Sequence, residues 1–128
     1  AREALRRLAS GEKSLLSQRD VISAETVGEA AGKGDRLAGE VIAAASHYLG
    51  IGLANIINIF NPEMIVIGGG VSNLGDMLLR PARDVVNRLA FGLPLESVRI
   101  VRSQVGAIAG VLGAAVLVFD KAGKEDWL

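Results

Sequence analysis

The stretch that decides the fold runs from Leu49 to Arg83 and reads LGIGLANIINIFNPEMIVIGGGVSNLGDMLLRPAR. Its first twelve residues are apolar except for two asparagines, so they predict a helix that is buried nearly all round. Asn61-Pro62 ends that helix, because proline disfavours helical geometry in the residue before it. Met64–Ile67 is an apolar run without alternation, which is typical of a strand buried on both faces. Gly68–Gly70 follows directly and predicts a turn at the end of the strand.

The sequence on either side of this stretch predicts further helices and one more strand. Apolar residues recur at helical spacing in several segments, and Ser23 and Asp35 stand where helix N-caps belong. Pro81 lies inside one helical pattern and predicts a kink or a restart there. The full expectation is helices at 1–9, 24–31 and 36–60, a strand at 64–67, a helix at 73–90, a strand at 98–101 and a helix at 105–121.

This order predicts an α/β fold with a small parallel sheet. A strand, a helical crossover and a second strand imply a parallel pair with a right-handed connection. Two short strands are too few for an independent sheet, so the sheet is expected to be incomplete in this chain. Unpaired strand edges promote association, and the chain is therefore expected to pair with another copy or to cover the open edge.

Length and composition limit the classes of function. The chain has 128 residues, enough for one domain, with a helical lead-in at 1–33, an α-β-α-β-α core at 34–120 and a polar tail at 121–128 in which Trp127 could anchor. Fourteen basic and fourteen acidic residues leave no net charge to attract nucleic acid or an acidic membrane. The run Val105–Phe119 is shorter than the roughly 18–20 residues that a membrane span requires. It is interpreted as a buried helix.

The chain has no cysteine and one histidine, His47. A disulfide framework is therefore excluded, and a tetrahedral zinc site would need about four ligands that this chain does not supply. No carboxylate stands in a recognisable catalytic setting, so the sequence predicts neither catalytic nor metal-binding residues. The lack of cysteine fits a cytoplasmic protein.

The glycine cluster is the strongest chemical signal in the sequence. Backbone N–H groups in a turn such as Gly68–Gly70 can face a phosphate or a ribose oxygen, and Ser72 adds a hydroxyl. The alternative is a tight strand-to-helix turn without a ligand. A dinucleotide fingerprint would need a third glycine where Asn73 stands, and a Walker loop would need a lysine where Asp76 stands. Both of those motifs are therefore disfavoured.

Taken together, the motifs resemble the second domain of the repressor–ORF–kinase (ROK) family. The stretch Leu49–Arg83 holds the buried helix, the N-P-E turn, the apolar strand and the G-G-G-V-S turn in the family's order. Gly34-Asp35 with Leu37-Ala38 resembles the family's G-D-x-x-A helix start. Val105–Ala115, VGAIAGVLGAA, resembles the closing helix, which is commonly written L-G-x-x-A-G-x-x-G-A-A.

The resemblance implies the C-terminal part of an actin-like ATPase (ribonuclease H-like) domain, from a glucokinase-like sugar kinase. The intact protein would transfer a phosphate from ATP with Mg²⁺ to glucose or a related hexose, and would form a homo-oligomer. The residues expected to hold the adenosine end of ATP or ADP are Gly68, Gly69, Gly70, Val71 and Ser72, with the start of the last helix packed near them. In the family the catalytic Asp, the sugar-binding residues, the phosphate loop and a Cys-rich zinc motif precede this region. The segment alone is therefore expected to be inactive.

One departure from the family pattern keeps two alternatives open. Family kinases often carry Asn-Asp inside the closing motif, where this chain has Ala107-Ile108. The same fold serves as the sugar-sensing domain of ROK transcriptional repressors, in which ATP chemistry is not maintained. A third interpretation is a dimerisation fragment that binds no ligand.

Overall fold

The computed structural model describes residues 1–91 and 98–122 and confirms the predicted order of helices and strands. The elements are α1 (Arg2–Ala9), α2 (Ala24–Gly32), α3 (Arg36–Phe60), β1 (Met64–Ile67), α4 (Asp76–Leu89), β2 (Arg99–Arg102) and α5 (Ala109–Ala122), with 3-10 turns at Leu15–Gln18, Gly70–Leu74 and Gly106–Ile108. The loop at 92–94, most of the tail 121–128 and the anchoring of Trp127 lie outside the described residues.

The two strands form the predicted parallel pair. Met64 pairs with Arg99 and Ile67 with Arg102 at the two ends of the register. Helix α4 is the crossover between them and packs extensively against α3, so the helices cover one face of the sheet. On that face Ile65 and Ile67 pack with the apolar residues of α3 and α4.

The core consists of two clusters along α3. The first surrounds its N-terminal half and is made with α1, α2 and the turn at Leu15–Gln18. The second surrounds its C-terminal half and joins Leu53 and Ile57 to Val86 of α4 and Ile100 of β2. Helix α3 therefore connects the helical lead-in to the sheet layer, and the glycine turn lies at the end of that sheet.

The predicted caps of α2 and α3 are both formed. Ser23 Oγ accepts the Thr26 N–H, and Thr26 Oγ1 accepts the Ser23 N–H, a reciprocal capping box. The Asp35 carboxylate accepts the Ala38 N–H at 2.8 Å and also the Leu15 N–H at 2.7 Å. At the other end of α3, Asn61 adopts a left-handed conformation with φ of 44° before Pro62, which is how such helices often end.

Removing the Asp35 carboxylate should destabilise the protein in a pH-dependent way. Burial alone would raise the pKa of Asp35, but the N–H groups of Ala38 and Leu15, the Ser14 hydroxyl and the charge of Arg36 outweigh burial and lower the pKa. An acid whose pKa is lower in the folded state than in the unfolded state stabilises the fold at pH values above its unfolded pKa, about 4. It loses that contribution as the pH falls through the folded pKa. Asp35→Ala should therefore cost about 1 kcal/mol at pH 7 and less at pH 3, measured by urea unfolding.

The matched control is Ser23→Ala at the start of α2. This residue caps a helix with a hydroxyl that does not titrate, so its loss should cost about the same at both pH values. A cost of Asp35→Ala that is equal at pH 7 and pH 3 would contradict the ionic origin of the Asp35 cap.

Two predictions of burial are wrong in this chain. Met64 and Val66 of β1 are 39% and 55% exposed, because helices cover only one face of the two-stranded sheet among the described residues. The C-terminal half of α3 is also not buried all round, since Ile59 and Phe60 are 71% and 72% exposed. Apolar residues on the uncovered sides mark where further layers would pack.

The last helix and α4 also differ from expectation. Helix α5 was predicted to be buried, yet Val111 and Phe119 are 71% and 76% exposed, and its described side chains lie mostly on the surface. Helix α4 begins at Asp76, three residues after the predicted start, because Gly70–Leu74 forms a 3-10 turn. It then continues through Pro81, so the restart considered there does not occur.

Helix α3 has the length and apolar character needed to cross a bilayer. The sequence prediction considered only Val105–Phe119 as a possible span and missed α3. Its buried residues belong to the two core clusters, and 33% of its most apolar window is buried. It contacts α1, α2 and α4, and its N-terminal turn carries an ion pair between Arg36 and Glu40 at 2.9 Å. Arg7 of α1 also binds Glu40, at 2.6 Å, and ties the two helices together.

A glycine turn as the candidate functional site

The candidate site is the turn that joins β1 to α4. The chain leaves β1 at Gly68 and takes a left-handed conformation at Gly69, with φ of 84°. It then forms the 3-10 turn Gly70–Leu74 and enters α4 through Gly75, which has φ of 57°. Both positive φ values are strained for residues with a Cβ, so glycine is required at these two positions. The sequence prediction of a glycine-dependent turn is confirmed.

The backbone of the turn is open on one side. Among the described residues, a Cβ placed on Gly69 or Gly70 would meet no heavy atom within 4 Å beyond its chain neighbours. A Cβ on Gly68 would meet only the Ser103 side chain, at 3.8 Å. Ser103 follows β2 and donates its N–H to the Ile67 carbonyl at 2.8 Å, so the end of β2 fixes the base of the turn. Space therefore remains beside the glycines for a ligand to approach the main chain.

Ser72 faces the interior of the turn. It is only 2% exposed, although Val71 beside it is 50% exposed. Its hydroxyl donates to the Gly69 carbonyl at 2.7 Å, and its N–H donates to the same oxygen at 3.0 Å. The structure thus places the five predicted residues in one turn, but it directs the Ser72 hydroxyl inward. A sequence signal for this exists, because serine side chains often bond to nearby backbone in turns.

A cleft of about 340 Å³ lies between the turn and α2. Sequence reasoning did not foresee the part that α2 plays. Gly28 permits the close approach of α2, since a Cβ there would lie 2.5 Å from a methyl group of Leu74. The cleft is lined by Glu25, Gly28, Glu29, Gly70, Asn73, Leu74 and Met77.

The charges around this cleft are acidic or already paired. Glu25 and Glu29 contribute the charged groups of its lining, and Glu29 forms an ion pair with Arg19 at 2.7 Å. Carboxylates accept hydrogen bonds and repel anions. The cleft therefore suits a neutral group that donates hydrogen bonds, such as an aromatic amino group or a ribose hydroxyl, better than a phosphate.

The segment before α5 completes the surroundings of the turn. Gly106 has φ of 54°, and the 3-10 turn Gly106–Ile108 lies against Gly70–Leu74. The expectation that the start of the last helix packs near the glycine turn is confirmed. His47 lies elsewhere, on the groove between α3 and α4, and the structure does not bring it to the turn.

Comparison with family models matches residues 1–121 to the ROK family. The chain belongs to the ROK family. Among curated relatives, glucokinase from Halalkalibacterium halodurans is 39% identical over 98 residues, which cover 77% of this chain and 30% of that protein. The xylose repressor of Caldicellulosiruptor bescii is 35% identical over 101 residues, which cover 79% of this chain and 25% of that protein. Kinases and repressors are thus similar to this chain to about the same degree.

A solved relative supports the fold assignment. The crystal structure of a ROK family glucokinase from Streptomyces griseus, in complex with glucose and AMPPNP, superposes with a TM-score of 0.77 and 31% identity. The match covers 91% of this chain and 40% of that one. The chain therefore has the helix-rich α/β fold of an actin-like ATPase, and it spans a quarter to two-fifths of the length of these ROK relatives.

Proposed function

We propose that this chain is the nucleotide-binding C-terminal region of an ATP-dependent, glucokinase-like sugar kinase of the cytoplasm. The turn Gly68–Ser72 binds the adenosine end of ATP or ADP. In the intact protein ATP would donate its terminal phosphate to glucose or a related hexose. The observation that supports this most directly is the open side of Gly69 and Gly70, where no atom of residues 1–91 and 98–122 whose placement is described lies within 4 Å of an added Cβ, chain neighbours aside.

The charges near the turn support one orientation of the nucleotide. The acidic cleft beside Gly70 suits the base or the ribose, which carry hydrogen-bond donors. The phosphates, in contrast, would lie away from Glu25 and Glu29, because like charges repel. A ligand in this pose would rest its sugar on the glycine backbone and direct its phosphates away from α2.

This region does not supply the remaining parts of a kinase site. Phosphoryl transfer needs Mg²⁺, a base at the acceptor hydroxyl and groups that hold the phosphates. Mg²⁺ prefers carboxylate and other oxygen ligands. Within the described ranges no three His, Cys, Asp or Glu side chains come together to hold a metal ion. We therefore assign neither a Mg²⁺ ligand nor a catalytic step to the described residues.

A sugar-sensing domain of a ROK repressor is the second candidate. Its support is the similarity to the xylose repressor, together with Ala107-Ile108 in place of the polar pair often found in kinases of the family. The kinase and the repressor differ in the sequence that lies upstream of this region. A helix-turn-helix segment upstream would indicate the repressor, and a phosphate loop of the D-x-G-G-T type without such a segment would indicate the kinase.

Gly70→Val in the full-length protein should weaken the binding of a non-hydrolysable ATP analogue by about tenfold or more, which corresponds to about 1.4 kcal/mol. Gly70 has no positive φ, and no described residue lies within 4 Å of a Cβ added there, so a side chain should be tolerated by the fold. Its side chain would then occupy the space in which the nucleotide is expected. Isothermal titration calorimetry measures the affinity, and circular dichroism checks the fold.

Gly39→Val provides the matched control. A Cβ on Gly39 would likewise meet no described residue within 4 Å, and Gly39 has no positive φ, but it lies on α3. This variant should bind the analogue as the wild-type protein does. An unchanged affinity of Gly70→Val, with the fold intact, would exclude the turn as the nucleotide site.

A further inference from the structure

Ser72 differs from the other residues of the turn because it is buried and all of its polar groups have partners inside the turn. Its hydroxyl and its N–H both donate to the Gly69 carbonyl, and its own carbonyl accepts the Gly75 N–H at 3.0 Å. Gly69 and Gly75 are the two positions with positive φ that begin and end the 3-10 turn. Ser72 therefore links both ends of the turn.

The two bonds to the Gly69 carbonyl determine which way the next peptide group faces. A carbonyl oxygen has two lone pairs, and here both have a donor from Ser72. In a planar trans peptide the C=O of one residue and the N–H of the next point in opposite directions. Because the Gly69 carbonyl faces Ser72 in the interior, the Gly70 N–H must face the opposite side of the peptide plane.

Gly70 itself lies at the open side of the turn. Gly70 is exposed and lines the cleft beside α2, and in the part of the chain that the structure describes nothing lies within 4 Å of a Cβ added to it. A fixed N–H group that faces open space can donate to an oxygen of a ligand without any cost of reorientation.

We propose that Ser72 is a positioning residue for nucleotide binding. By holding the Gly69 carbonyl inward, it keeps the Gly70 N–H directed at the ligand, and its own hydroxyl makes no contact with the nucleotide. This inference rests on the proposed function and changes the role of one residue in it. Ser72 was expected to bind the nucleotide directly, but its side chain is 2% exposed and its hydroxyl proton is already donated to the Gly69 carbonyl.

The test is Ser72→Ala in the full-length protein, with affinity measured by calorimetry for a non-hydrolysable ATP analogue and for its 2′-deoxy form. Loss of one hydrogen bond to the Gly69 carbonyl should let the peptide reorient and weaken both ligands by a similar factor of about five to ten. Affinity for the hexose, measured on the same samples, should stay within about twofold of wild type. Ser72→Cys, which is close in size and a weak donor, should give a smaller loss in the same direction.

Ser46→Ala controls for a purely structural effect. Ser46 is also fully buried, and its hydroxyl donates to the Ile42 carbonyl at 2.9 Å within α3. This variant should change thermal stability but not nucleotide affinity. The inference is overturned if Ser72→Ala binds the ATP analogue as tightly as wild type, or if its effect disappears with the 2′-deoxy form, which would show direct contact with the ribose. If Gly70→Val also leaves affinity unchanged, the proposed function itself fails.

Discussion

Gly50→Ala is expected to destabilise the protein by about 1–3 kcal/mol, even though alanine is the better helix former. Gly50 lies where α3 crosses α4, and a Cβ there would stand 2.5 Å from Val85 Cβ and 2.7 Å from the Ala82 carbonyl oxygen. The first atom is fixed next to the backbone and the second is backbone itself. The added methyl group can be accommodated only if the two helices move apart, which would loosen the packing around Val86 and Ile57.

The same glycine-to-alanine substitution two residues later should raise the free energy of unfolding instead of lowering it. Gly52 lies on α3 with nothing within 4 Å of an added Cβ, so Gly52→Ala should stabilise the helix by about 0.5–1 kcal/mol. Urea unfolding of both variants measures the difference. Equal stabilisation by the two alanines would mean that α3 and α4 do not approach as closely as the structure shows.

The crossing at Gly50 also matters for the candidate site. Helix α4 begins at Asp76, directly after the glycine turn, so its position against α3 determines where the turn lies. If α4 shifts in Gly50→Ala, nucleotide affinity in the full-length protein should fall together with stability. An intact affinity in a destabilised Gly50→Ala variant would show that the turn is held mainly by β1, β2 and α2.

Local features of the fold were predictable because they depend on neighbouring residues. Ser23 and Asp35 are helix caps whose acceptor groups bind backbone within three residues, so their roles can be inferred from the sequence. Asn61-Pro62 ends α3 for a similarly local reason. Gly69 and Gly75 need positive φ, which a glycine-rich turn after a strand suggests.

Features that depend on distant contacts were not predictable. Gly28 and Gly50 allow close packing against Leu74 and Val85, and nothing in their own neighbourhood distinguishes them from Gly39 or Gly52. The cleft beside the glycine turn involves α2, which is more than forty residues earlier in the chain. A hydrophobic pattern also reports only that a side chain should be covered, and it does not say by which residues.

The apolar run at the end of α3 shows this last point most clearly, since residues two positions apart differ in side-chain exposure. Ile57 is 1% exposed in the cluster with Leu53 and Val86, whereas Ile59 is 71% exposed. The sequence pattern alone predicts that both are buried, because Asn58 is the only polar residue between Ile56 and Phe60.

Ile57→Ala should therefore cost about 2–5 kcal/mol in free energy of unfolding, the range for a fully buried isoleucine, while Ile59→Ala should stay within about 0.5 kcal/mol of wild type. The two variants remove the same atoms from the same helix, so helix propensity cancels in the comparison. Urea unfolding of the 128-residue chain at low concentration gives both values. A cost of several kcal/mol for Ile59→Ala would mean that a second copy or another segment covers this face, since an exposed side chain cannot contribute that much.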